Sequence, residues 1–214
     1  MNTCIIFDLD GTLIDSREDL ALAVNLMRRD FGLSALRVED VTSFVGNGAR
    51  KLVERSLSGT SVNIDEALPL MKKHYLEHLF DKTTLYEGVA GGLAELRSTG
   101  IPLAVISNKP TGPSRKILEH FGICGLFREV IGGDSGFALK PDPESILHVV
   151  KKFAASPENS WILGDNYTDL ESGRRAGLKR CFAQYGFGKQ RNENFDFAAE
   201  NFDIFVRYIM NMRF

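Results

Sequence analysis

The stretch Cys4-Ile5-Ile6-Phe7-Asp8-Leu9-Asp10-Gly11-Thr12 decides how the rest of the chain is read. Four apolar residues rich in β-formers run into a polar turn without alternating with polar positions. A strand buried on both faces has this pattern, and such strands belong to parallel sheets covered by helices. The turn then stands at the carboxyl end of the strand, where open parallel sheets bind their ligands.

Further along, the same texture returns. Leu103-Ala104-Val105-Ile106, Glu129-Val130-Ile131, Trp161-Ile162-Leu163 and Arg180-Cys181-Phe182-Ala183 are short apolar runs. Between them, helical patterns are predicted over about 91–98, 113–121, 143–154 and 169–176, the last stopped by Gly177. Strands alternating with helices imply a doubly wound, mostly parallel α/β sheet. The Phe-rich tail (Phe195, Phe197, Phe202, Phe205) reads as a last strand and helix closing the core.

The first strand is separated from the others by mainly helical sequence. Ser16 and Asp19 resemble a capping box, and Leu20, Val24, Met27 and Phe31 then recur at helical spacing up to Gly32. Helices are also predicted over about 49–57 and 68–80, with Pro69 admissible in the first turn of the latter. The expected organisation is a core of residues 1–15 and 81–214, interrupted by a helical insert at 16–80. Its hinges fall near Ile14–Ser16 and Thr83–Glu87.

Composition narrows the class. The 214 residues are 43% hydrophobic and 25% charged with a net charge of −2, as in a soluble globular protein without a preference for nucleic acid or anionic membranes. The N-terminal stretch lacks the basic region of a signal peptide, and no apolar run approaches the ~20 residues that span a bilayer. Cys4, Cys124 and Cys181 are far apart, which suits reduced thiols in a cytoplasmic protein.

The polar residues that follow the predicted strands form a chemical set. Asp8 and Asp10 follow the first, Ser107, Asn108 and Lys109 the second, Asp134 and Lys140 the third, and Asp165 and Asp169 the fourth. Carboxylates from separate loops make a hard-oxygen site suited to Mg²⁺. A bound cation would leave Asp8 ionised as a nucleophile. Ser107 and Lys140 can hold phosphoryl oxygens, and Asp10 can protonate a leaving alkoxide and then activate water.

The strings that carry these residues resemble, in order, the four motifs of the haloacid dehalogenase superfamily. They are Asp8-Leu9-Asp10-Gly11-Thr12, Ser107-Asn108-Lys109-Pro110, Lys140-Pro141-Asp142-Pro143 and Gly164-Asp165-Asn166-Tyr167-Thr168-Asp169. The helical insert stands where that family carries its type-1 cap. The resemblance implies a Rossmann-like core and an aspartyl-phosphate mechanism with Asp8 as nucleophile and Asp10 as acid/base. It implies a Mg²⁺ site of Asp8, Asp165 and the main-chain carbonyl of Asp10, supported by Asp169, with Ser107, Asn108 and Lys140 on the phosphate. Dehalogenases of the family lack the second aspartate, so Asp10 argues for phosphate esters. The segment Phe44–Leu57 is similar to the cap of phosphoglycolate phosphatases, which makes Asn47 and Arg50 substrate-specificity candidates, with Lys51 near the same loop. One departure is Asn166, where relatives often carry Thr or Ser.

Blander readings stand beside these. Asp8 and Asp10 taken alone could be turn residues, Ser107 a strand-end cap, and Asp134 a turn residue as readily as a site organiser. Arg50 could be an exposed arginine. His74 and His78 are spaced as a zinc pair would be, but no third ligand is near in sequence. The expected substrate is a small phosphorylated metabolite, 2-phosphoglycolate in particular, for a monomer or homodimer. A sugar-phosphate mutase, a pyrophosphatase or nucleotidase, and a non-catalytic binding protein of the same fold are the alternatives.

Overall fold

The computed structural model describes residues 2–212. The chain divides into two compact units, one built from the segments up to Asp15 and from Leu85 onward, the other from Ser16–Thr84. Strand β1 (Ile5–Phe7) leads through a tight loop into β2 (Ile14–Asp15). The helical unit follows, with α1 (Arg17–Asp30), α2 (Val38–Thr42), α3 (Ala49–Ser56) and α4 (Ile64–Glu77). The chain returns at β3 (Thr84–Leu85), which pairs with β2 in a two-stranded ribbon. Then come α5 (Val89–Ser98), β4 (Leu103–Ile106), α6 (Thr111–His120), β5 (Glu129–Ile131) and α7 (Glu144–Lys152). The last elements are β6 (Trp161–Gly164), α8 (Tyr167–Ala176), β7 (Lys179–Ala183), β8 (Phe197–Ala199) and α9 (Phe202–Met210).

Six of the described strands form one sheet in the order β5-β4-β1-β6-β7-β8, paired in parallel throughout. The side-chain period of two sends alternate residues to opposite faces. Ile6 lies level with Ala104 and Ile162, and these pack with Ile146, Val149 and Val150 of α7 and Ala176 of α8. Cys4 belongs to this cluster as a small buried residue. Phe7 turns to the other face, where its ring centroid lies 6.0 Å from those of Phe202 and Phe205 on α9. Burying side chains of this size contributes about 1.5–3 kcal/mol each, which explains why the strands need no polar face. Helix α5 approaches α9 closely at Gly92, where a Cβ would lie 2.7 Å from Val206. The class expected from the sequence, a doubly wound parallel α/β core, is the fold observed.

Two local expectations are corrected in the helical unit. Ser16 makes no side-chain cap bond to α1. Asp19, fully buried, instead accepts the N–H groups of Lys82 and Thr83 and the Thr83 hydroxyl at 2.7–3.1 Å. A buried carboxylate must collect donors, and the returning segment offers more of them than a helix start does. Helix α4 begins at Ile64, where Asn63 accepts the Asp65 N–H at 2.9 Å. Pro69 therefore sits inside the helix, beyond its first turn. The cap and the burial of Ala67, Met71 and Tyr75 offset the bond that proline cannot donate.

Candidate active site

β1 lies between β4 and β6, so their carboxyl ends bring three loops side by side. Asp8 donates its N–H to Leu163 O at 2.9 Å, which fixes it against the end of β6. Leu9, fully buried, anchors the turn between Asp8 and Asp10, and its carbonyl accepts the N–H of Leu13 at 2.9 Å. Ser107 is tied to the end of β5 by its N–H to Ile131 O at 3.0 Å.

Lys140 is the hub. Its side chain is 2% exposed, and Nζ donates to Asp169 Oδ1 and Ile106 O, each at 2.6 Å. The same Nζ stands 3.0 Å from Asp8 Oδ1, at ion-pair distance but without hydrogen-bond alignment, so that buried oxygen accepts no hydrogen bond. Asn108 clasps the Lys140 backbone from both sides, donating to Lys140 O at 2.9 Å and accepting Lys140 N–H at 2.8 Å. The Asn108 amide is thereby engaged in placing Lys140.

Asp165 Oδ2 accepts the N–H groups of Phe187 and Gly188 at 2.9 and 2.6 Å, both from the loop after β7. The fit is close. A Cβ on Gly11, whose φ is +82°, would fall 1.9 Å from Asp165 Oδ2, and one on Gly186 would fall 2.3 Å from Asp165 Cβ. Asp169 uses its second oxygen to accept the Asn166 N–H at 3.0 Å, while the Asn166 side chain accepts the Thr168 N–H. Asn166 thus closes a capping box at the start of α8.

Asp8, Asp165 and Asp169 each present an oxygen within 4.8 Å of the other two. Burial first, then the charges of Asp8 and Asp169, pushes Asp165 well above the ordinary carboxyl range. Asp169 is raised to about 6 by burial and by Asp8, against the pull of Lys140. Burial would lower Lys140, but the charges of Asp169 and Asp8 outweigh it and its pKa is raised. Three carboxylates facing one ammonium leave two negative charges uncompensated, and one buried oxygen of Asp8 has no donor. That donor set, all hard oxygen, fits a divalent cation. The carboxylate of Asp10 lies outside this group and is paired with Lys109, whose Nζ is 2.8 and 3.1 Å from its two oxygens.

The remaining candidates make local contacts. Asp134 accepts the N–H and hydroxyl of Thr111 at 2.7 and 2.8 Å and so organises the start of α6. In the helical unit, Arg50 makes an exposed ion pair with Asp65 at 2.6 Å. Asn47 accepts from Arg55 at 2.9 Å, and Arg55 also donates to Phe44 O. His74 and His78 bond to separate carboxylates, Asp30 and Asp81. Sequence reasoning assigned no role to Lys109, although it lies within a quoted motif, nor to the Gly186-Phe187-Gly188 loop. The only signal for the loop was a pair of glycines just past a strand.

Residues 5–183 match the model of the haloacid dehalogenase-like hydrolase family. A phosphoglycolate phosphatase from Aquifex aeolicus is 36% identical over 97% of this chain and 96% of its own length. One from Psychrobacter arcticus is 37% identical over 96% of this chain and 95% of its own. A solved structure from Haemophilus somnus, described as a predicted phosphoglycolate phosphatase, superposes with a TM-score of 0.90. It is 30% identical, with coverage of 96% of this chain and 97% of that one. The chain belongs to the haloacid dehalogenase-like hydrolase family. Its resemblance to these relatives along nearly the whole length places it among the phosphatases of that family. Among the described residues no helix is long and apolar enough to cross a membrane.

Proposed function

We propose that this protein is a Mg²⁺-dependent phosphomonoesterase that works through an aspartyl phosphate on Asp8, with 2-phosphoglycolate as its preferred substrate. The observation that carries the reading is the undonated, buried Asp8 Oδ1, set beside Lys140 and within reach of Asp165 and Asp169. Mg²⁺, held by Asp8, Asp165 and the main-chain carbonyl of Asp10 with Asp169 in support, would screen the carboxylates and the phosphoryl charge.

Asp8 attacks phosphorus as the ester P–O bond breaks, and Asp10 gives its proton to the departing oxygen. Ser107 and Lys140 hold the non-bridging oxygens, and Asn108 keeps Lys140 in place. A water then attacks phosphorus and passes a proton to Asp10 while the bond to Asp8 breaks. Inorganic phosphate leaves, and both aspartates return to their starting states.

The substrate rests on the relatives, which are phosphoglycolate phosphatases. The helical unit serves in this reading as the cap that selects the organic part of the ester, with Asn47 and Arg50 as its candidate contacts. Phosphate release from a panel of phosphomonoesters, with Mg²⁺ and with EDTA, tests the proposal. Mg²⁺-dependent release that favours 2-phosphoglycolate is expected. Release favouring another ester would remove the named substrate, and no release from any ester would remove the mechanism.

A further inference from the structure

We infer that Lys109 is the positioning residue for the acid/base Asp10. The inference rests on the mechanism proposed above and assigns a role to a residue that the mechanism leaves unused. The two side chains are only 4% and 12% exposed, and Lys109 Nζ meets both oxygens of Asp10, at 2.8 and 3.1 Å.

The main chain that carries Lys109 is held in place. Its carbonyl accepts the N–H of Gly133 at 2.9 Å, just past β5, and its N–H points at Ser107 Oγ. From the end of β4 the side chain reaches across to the turn after β1, the neighbouring strand, where Val105 lies level with Phe7. An ion pair at this depth adds little net stability, because desolvation offsets the attraction. What it supplies is orientation. Asp10 stands on a loop, and a single bond would leave its carboxylate free to rotate. A grip on both oxygens fixes the plane from which the proton is delivered to the leaving oxygen and later received from water.

The role separates from a merely structural one through the leaving group. An alkyl ester such as 2-phosphoglycolate needs a proton on its departing oxygen, whereas p-nitrophenolate departs without one. Lys109→Met is expected to lower kcat/KM for 2-phosphoglycolate about 100-fold, the scale of a general acid, and to change kcat/KM for p-nitrophenyl phosphate little. Because the water step also uses Asp10, the variant should release a burst of p-nitrophenolate before a slowed steady state. In an Asp10→Asn background, Lys109→Met should add no further loss, since the lysine acts through the absent carboxylate. Lys109→Arg, which can meet both oxygens, should restore most of the difference between the two esters. If the Met variant does not fold, Lys109→Gln carries the same comparison, with folding checked by thermal melting.

An equal fall on both esters, or a full loss persisting in the Asp10→Asn background, would overturn the inference. So would an effect confined to KM for 2-phosphoglycolate, which would make Lys109 a contact for the substrate carboxylate. Wild-type protein that hydrolyses neither ester would instead defeat the underlying mechanism, before any variant is compared.

Discussion

The α/β unit keeps its key charges inside. Asp8, Lys109, Lys140, Asp165 and Asp169 are all buried, with Lys140 between Asp8 and Asp169, Lys109 on Asp10, and Asp165 on the N–H groups of Phe187 and Gly188. The helical unit buries Asp19 and Arg28 on backbone and hydroxyl partners, and its ion pairs Arg37–Asp40, Arg50–Asp65 and Lys51–Glu54 stand at the surface. A buried charge is tolerated only with its partners in place, so each one is fixed and hard to replace. A surface pair is screened and contributes little, so it can change without cost to the fold. Under the proposed function, the contrast separates a fixed reaction centre in the first unit from adjustable recognition in the second.

The comparison can be broken by substitution, and the largest effect is expected at Asp8. Asp8→Asn should lower phosphate release by more than about 10⁴-fold while the protein stays folded. Residual turnover near the wild-type rate would show that another residue attacks phosphorus. Next is Lys140→Met, which leaves Asp8 and Asp169 buried without their cation. It should destabilise the metal-free protein by about 3–5 kcal/mol, measured by urea titration, and abolish activity. A stability loss no larger than that of a surface lysine would contradict the picture of Lys140 as the hub.

A smaller change comes from Gly186→Ala, which inserts a methyl against Asp165. Mg²⁺ affinity, read by calorimetry or by the metal-induced rise in Tm, should fall about 10–100-fold. Unchanged affinity would mean that Asp165 does not meet the metal.

Protons probe the same cluster. Asp169, raised to about 6, holds its proton more tightly folded than unfolded, where a carboxyl titrates near about 4. Its contribution to stability is therefore complete below about pH 4 and is lost as pH rises through about 6. Mg²⁺ competes with that proton, so the Mg²⁺-induced rise in Tm should grow between about pH 5 and about pH 7. A constant rise would uncouple the metal from the buried carboxylates. The smallest effect is expected in the helical unit. Arg50→Ala should leave Tm and activity on p-nitrophenyl phosphate unchanged and raise KM for 2-phosphoglycolate modestly. A loss on both esters would extend the reaction centre into the helical unit.

The strands were easy to read in the sequence because parallel strands buried on both faces leave unbroken apolar runs, such as Leu103–Ile106 and Trp161–Gly164. Asp8, Ser107 and Asp165 were visible for the same reason, since each stands one step past such a run. What the sequence concealed depends on partners far along the chain. Ser16 and Asp19 carry the pattern of a local cap, but Asp19 is claimed by Lys82 and Thr83, which no local window contains. Lys109 meets Asp10, and Phe187 and Gly188 meet Asp165, only once the sheet has formed. The start of α4 was missed differently: Asn63 offered a cap, and Pro69 drew the boundary away from it.

The place of β1 in the sheet has a consequence for how the protein is made. Ile5–Phe7 emerges from the ribosome well before its two neighbours, Leu103–Ile106 and Trp161–Gly164. At about 5–20 residues per second, the segment bearing Asp8 waits on the order of 10 s for its second partner. Both edges of this apolar strand are open until Leu103–Ile106 emerges, and one stays open until Trp161–Gly164 does. The centre of the finished sheet is therefore its most exposed part during birth, and the helical unit, complete within Ser16–Thr84, is available to fold while it waits.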